Sequence, residues 1–337
     1  MKKNLLLWLF FVALLTGTSY NTYVHYDFTH STDSQTYMAI AKLDFENQSL
    51  FRRYRVTVPV LANVFSTPFS WVAGKFWQHR NNSDWFLRLG FLFVNLSIMG
   101  LLGVILVKIG VEYGSSLQTS IVATIAVLMS RWANYASALP LVDSFYFLIV
   151  ATTVLSIKQK NNKLLIISIL LGPFAKESYI FVAPIVLLLS NMHKIKLVLW
   201  FVLSGILVFG LRFWIDTTDM TNPIASISHD LTTVDLIKIS LQRIFSAGGI
   251  GEIFTVLGLF SFVILLGFTG GKKAIQSWWK NIDKLLIFLL VSVCIQALFS
   301  TSIARMLYVA TPLWVVALAH IYESHPLFVK IRGLFLK

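Results

Sequence analysis

The run Ser31 to Tyr37 places an acid, Asp33, among hydroxyl and amide side chains just beyond a first apolar stretch. Thr32 and Gln35 stand at capping-box spacing, which predicts a helix from here to about Leu43 with Asp33 in its first turn. A carboxylate there either complements the helix dipole or, facing water at a membrane surface, takes a proton. Further on, Arg52, Arg53 and Arg55 lie within four residues beside Val58-Pro59. Guanidinium forks grip phosphate oxygens in pairs, and they also anchor a chain to anionic lipid headgroups. Lys176-Glu177 follows Gly172-Pro173 and separates two short apolar runs. An ionised side chain deep in a spanning helix costs about 2.5 to 3.5 kcal/mol on insertion scales. Two adjacent ones therefore imply a polar cavity or a break reaching water, with Lys176 holding a phosphate and Glu177 orienting it or a donor hydroxyl.

Other polar positions are more ambiguous. Asp143 opens an apolar helix after Pro140, where an acid must be paired, capping or hydrated. Arg131 precedes the same turn and either snorkels or contributes charge. Arg305 interrupts what would otherwise be one apolar stretch from Leu285 to Ile321, marking a turn between the last two helices. His229-Asp230 reads as a base with its orienting partner or as a hydrated loop. Metal-ligand spacing is missing: there is no H-E-x-x-H and no D-x-D, so no cofactor is indicated and a divalent cation finds no motif. Cys294 is the single cysteine, which excludes a disulfide framework or a thiolate cluster.

These residues must be positioned by membrane helices. The 337-residue chain is 56% hydrophobic, 14% aromatic and only 13% charged, beyond what a soluble domain needs. Its net charge of +13 comes without a basic stripe, zinc spacing or RNA-binding signature, so nucleic acid is not a partner. About ten apolar segments are expected, at 4–20, 85–107, 115–131, 140–157, 164–175, 178–192, 197–215, 249–269, 285–303 and 305–322. The reading is an all-α, multi-pass chain forming a single transmembrane domain, with an uncleaved first helix and both termini cytoplasmic. Residues 56–78, apolar but interrupted by Pro59, Pro68 and Gly74, decide the topology. If they do not span, the lysine-rich loops at 158–163, 193–196 and 272–284 all fall inside, as the positive-inside rule requires. The first outer segment then runs from about Asn21 to Asp84, and the second from about Asp216 to Gly248. Within the second, Leu236, Ile237, Leu241, Ile244 and Phe245 form one face of an amphipathic helix expected to lie flat on the membrane.

The order of these elements resembles the C-type (GT-C) superfamily of polytopic membrane glycosyltransferases, nearest its compact bacterial members that use polyprenyl-phosphate sugars. Asp33-Ser34-Gln35-Thr36-Tyr37, Tyr54-Arg55 with Pro59, Lys176-Glu177 and Arg305 carry the likeness. It implies that a sugar passes from a polyprenyl-phosphate carrier to a lipid, glycan or protein acceptor at the outer face of the cell membrane. Asp33 would be the general base, and Arg53, Arg55, Lys176 and Arg305 would bind the carrier phosphate. Tyr37, Asp143, Glu177, Arg131 and His229 would support them. The absence of a soluble carboxy-terminal domain and of paired acids departs from larger relatives. A lipid-linked oligosaccharide polymerase, or a non-catalytic transporter or flippase of lipid-linked glycans, is the alternative; the latter would favour inverted repeats, and none is visible.

Overall fold

The computed structural model describes residues 2–28, 31–46, 48–49, 52–76, 84–218, 233–300 and 302–335. Among them every regular element is a helix. In chain order these are α1 (Lys2–His25), α2 (Thr32–Ala41), α3 (Thr57–Phe76), α4 (Trp85–Glu112), α5 (Leu117–Leu128) and α6 (Arg131–Ala138). There follow α7 (Asp143–Lys158), α8 (Asn162–Ala175), a 3₁₀ segment (Glu177–Phe181), α9 (Ala183–Leu189), α10 (Lys194–Thr218) and α11 (Thr233–Ile244). The last third holds α12 (Ala247–Phe254), α13 (Ser261–Leu266), α14 (Gly271–Trp279), α15 (Lys284–Leu298), α16 (Ile303–Leu307), α17 (Thr311–Ser324) and α18 (Pro326–Phe335).

Among the described residues, four stretches are long and apolar enough to cross a membrane: α1, α4, α10 and the run Ile303–Ser324. Three bent pairs raise the number to seven if each is one span, namely α6 with α7, α12 with the Gly258–Leu266 stretch, and α14 with α15. Three further expected segments are the shorter apolar helices 117–128, 162–175 and 177–189, below the roughly 20 residues an upright crossing needs. The chain is thus an all-helical protein suited to a membrane.

The core is built around α4, which α1, α3, α5, α6, α7 and α17 all contact. On α1, Phe11, Leu15, Ser19 and Tyr23 are buried at four-residue intervals, forming a stripe along one helical face. Gly103 of α4 admits this stripe, since a Cβ there would sit 2.6 Å from the Phe11 ring. Small residues let apolar helices approach where lipid offers no hydrophobic drive between them.

Several expectations change. Residues 57–76 form one uninterrupted helix, because Pro59 falls in its first turn, where a missing N–H costs nothing, and Pro68 is accommodated within it. The helix over Ser31–Tyr37 is capped by Ser31, whose side chain accepts from the Ser34 N–H; Thr32 is its first helical residue, and it ends at Ala41. The lysine-rich stretch 272–284 is largely helical, as α14. The apolar residues of α11 divide between two faces. Ser240 is buried and donates to the Ser300 carbonyl at 2.7 Å, and Ile244 packs on Ala297, Ile303 and Met306. Val234, Leu241 and Phe245 instead point outward and are exposed.

A candidate anion site at one end of the bundle

Asp143 is the hub of the charged residues. It begins α7 directly after a sharp turn, with α6 and α7 meeting at 120°. Asn95, fully buried in α4, fixes that turn: its Nδ2 donates to the carbonyls of Leu139 and Leu141 at 3.0 and 3.1 Å, and its Oδ1 accepts from Ser144. Every hydrogen-bonding atom of the Asn95 amide is engaged, so the Asp143 carboxylate is delivered to one place. It is 2% exposed and meets two cations, the Arg305 guanidinium through Oδ2 and the Lys176 ammonium 3.4 Å from Oδ1.

Lys176 reaches Asp143 because α8 stops. Its φ of −167° and ψ of 141° make an extended link between α8 and the 3₁₀ segment, so successive side chains diverge. Gly172 allows the chain to fold back so closely, since a Cβ there would lie 2.3 Å from the Tyr179 ring. This divergence corrects the expectation that Glu177 orients Lys176. Glu177 instead pairs with Arg55 at 3.0 Å and with Arg212 of α10 at 3.5 Å.

Asp33 joins from α2. Its Oδ2 accepts from Arg305 Nη1 at 2.8 Å, and its Oδ1 lies 2.8 Å from Arg52 Nε. Burial alone would raise its pKa, but the Arg305 and Arg52 charges outweigh it and hold the carboxyl below its ordinary value. One turn along α2, buried Tyr37 accepts a hydrogen bond from Arg55 Nη1 at 3.0 Å. Its phenol is pushed above 10 mainly by burial, so it stays neutral. Arg305 sits within the short helix α16 that follows α15, rather than in a turn between helices.

The structure therefore gathers Asp33, Tyr37, Arg55, Asp143, Lys176, Glu177 and Arg305 at one end of the bundle. Two other expected residues lie elsewhere. Arg53 is 1% exposed and points away: it donates to the Gln48 carbonyl at 3.0 Å and lies 3.7 Å from Asp216, to which Tyr54 also donates. That fastens Gln48, Arg53 and Tyr54 to the end of α10 in place of the phosphate role expected for Arg53, and its neighbour Arg52 is the arginine that reaches Asp33. Arg131 is exposed and folds onto Tyr135, 4.9 Å from the ring and 3.0 Å from its hydroxyl. His229 lies outside the described residues.

Arg212 was not apparent from the sequence, because an arginine near the end of an apolar helix looks like a snorkelling residue. It lies 4.7 Å over the Tyr54 ring. Among the described residues, Arg52, Arg55, Lys176, Arg212 and Arg305 form their ion pairs with Asp33, Asp143 and Glu177, five cations to three acids. The buried Nε atoms of Arg212 and Arg305 make no hydrogen bond among the described residues. A buried donor without an acceptor costs about 1 to 3 kcal/mol, which an incoming anion would recover.

From Glu177 and Arg212 a groove of about 660 Å³ runs between the 177–189 stretch and α10. Its walls are Ile180, Leu187, Val202 and Phe209, with few polar groups. The groove is apolar along its length, and at its polar end the Glu177–Arg212 pair joins it to the charged cluster. No family model matches the chain, and no significant likeness was found to a characterised protein or to a solved structure.

Proposed function

We propose that this protein is a membrane glycosyltransferase that moves a sugar from a polyprenyl-phosphate carrier to a glycan, lipid or protein acceptor at the outer face of the cell membrane. The observation that carries the reading is the junction of the cationic cluster with the apolar groove. An amphiphile with an anionic head and a long isoprenoid tail matches both halves, its phosphate among Arg55, Lys176, Arg212 and Arg305 and its tail against α10.

In this reading the acceptor hydroxyl oxygen attacks the anomeric carbon while the bond from that carbon to the phosphate oxygen breaks. The hydroxyl proton passes to Asp33, and polyprenyl phosphate leaves with its charge stabilised by the surrounding cations. A single displacement inverts the anomeric centre. With its carboxylate gripped by Arg52 and Arg305, Asp33 is a weak base before the donor arrives. A phosphate competing for those guanidinium groups loosens their hold and raises its basicity, so proton abstraction is coupled to donor binding.

The test uses the purified full chain in lipid nanodiscs with a short-chain polyprenyl-phosphate hexose. Release of polyprenyl phosphate that requires Asp33, together with binding that weakens in Arg55→Ala, Lys176→Ala and Arg305→Ala, supports the assignment. Lipid affinity unchanged in all three variants, or wild-type turnover in Asp33→Asn, refutes it.

A further inference from the structure

On the helix α2, residues two, five, six and nine positions after Asp33 point to roughly the opposite side from it. These are Gln35, Met38, Ala39 and Lys42, and they line a second cavity of about 270 Å³. The helix is thus a wall with the charged centre on one side and this cavity on the other. Phe28 and Met38 give the cavity an apolar floor, and Lys42, Asp44, Asp84 and Arg88 complete it.

Its charges are balanced rather than one-signed. Lys42 pairs with Asp84 at 2.6 Å on the rim, both largely exposed. The Arg88 guanidinium lies 4.3 Å over the Phe28 ring, and its Nε is buried without an acceptor among the described residues. Asp44 reaches the cavity at the end of α2, where Leu43 at φ +63° closes the helix: the Leu43 N–H meets the Ile40 carbonyl at 2.9 Å and the Asp44 N–H the Ala39 carbonyl at 3.0 Å.

An anion here would face Asp44 and Asp84, a cation would face Lys42 and Arg88, and an apolar ligand would strip all four of water. Hydroxyl groups suit the mixture, because each both donates and accepts. We infer that this cavity is a saccharide subsite, which holds a neutral sugar unit of an extended acceptor across α2 from the reaction centre. The word acceptor rests on the transfer reading above; the sugar binding itself does not. It follows that the acceptor is longer than one sugar.

The test is saturation-transfer NMR on the wild-type chain in nanodiscs with neutral mono- to tetrasaccharides, compared with Asp44→Asn and with Ala39→Leu, which fills the cavity from the α2 face. The expected result is an oligosaccharide signal in the wild type, at least tenfold weaker affinity in both variants, unchanged binding of polyprenyl phosphate in them, and retained saccharide binding in Asp33→Asn. Absence of a signal from any saccharide, equal affinity in the variants, or displacement of the sugar by phosphoethanolamine headgroups would overturn the inference. Loss of sugar transfer as a reading, with saccharide binding intact, would leave the subsite standing and remove only its role for an acceptor.

Discussion

Each end of the helical bundle carries its own cluster of ionisable and aromatic side chains, and the two clusters are wired differently. At the end where α4 and α7 finish, Asp283 caps α15 by accepting from the Leu286 N–H at 3.2 Å, takes the Tyr113 hydroxyl at 2.9 Å and pairs with Lys158 at 3.0 Å. Nearby, Glu323 accepts from the Ser116 N–H at 2.7 Å, and His320 meets the Tyr113 carbonyl at 3.0 Å. Those acids close helix ends and tie loops. At the other end, Asp33 and Asp143 are engaged by cationic side chains, and two guanidinium groups hold buried donors that find no acceptor among the described residues. The same residue types staple helix ends in one place and converge on buried carboxylates in the other.

The sharpest way to break this contrast is to neutralise one acid at each end. Asp33→Asn is expected to reduce sugar transfer by about 10² to 10⁴-fold, since it removes a base and keeps the shape, and to lower the melting temperature only by the loss of its ion pairs with Arg52 and Arg305. Asp283→Asn is expected to retain transfer per folded molecule and to lower the melting temperature only by the loss of its ion pair with Lys158, up to about 1 kcal/mol, since the amide oxygen still caps α15. Comparable losses of activity in both would erase the distinction. Lys176→Met comes next, because it leaves Asp143 with one cation in place of two. Removing a partner from a buried ion pair typically costs about 3 to 5 kcal/mol, and Arg305 keeps the loss toward the lower end. Thermal unfolding with and without polyprenyl phosphate reads both the stability and the lost ligand stabilisation. A variant as stable as the wild type would remove Lys176 from the hub.

Asp143 and Lys176 were legible in the sequence because charge within apolar runs is expensive and therefore demands a partner. Their mutual contact was not, since it depends on the extended link after α8 and on how closely Tyr179 covers Gly172. The choice between Arg52 and Arg53 was equally hidden. Adjacent residues in an irregular turn have no period to sort them, and the turn sends Arg53 to Gln48 while Arg52 reaches Asp33. Asn95 carries no signal of its own: a neutral amide in an apolar helix looks like any interhelical hydrogen bond. The prolines of 56–78 suggested breaks, yet a proline in the first turn of a helix interrupts nothing. The apolar groove could not be read from sequence, because its walls come from separate helices of ordinary hydrophobic composition.

Asn95→Leu sharpens the comparison from within the core. It keeps helix α4 apolar while leaving the Leu139 and Leu141 carbonyls and the Ser144 hydroxyl without their partner, at about 1 to 3 kcal/mol for each group that stays buried and unpaired. Transfer is expected to fall by less than in Asp33→Asn, because Asp143 is displaced rather than lost. Asn95→Asp retains an acceptor for Ser144 but, even when protonated, offers at most one donor to the two carbonyls, so it should recover stability only in part.

The smallest expected effect is the pH dependence that Asp33 confers on stability. Arg305 and Arg52 depress its pKa in the folded chain, so the unfolded chain binds more protons at this carboxyl as the pH falls. The ion pairs therefore contribute in full above the ordinary value of 3.8 and are lost only as the pH drops through the lower, folded value. Melting curves of wild type and Asp33→Asn should differ by a constant amount from neutrality down to about pH 5 and converge below about pH 4. If the difference instead disappeared between pH 5 and 7, the carboxyl would be titrating above its ordinary range. The resting grip of Arg52 and Arg305 would then be too weak for phosphate binding to release the base.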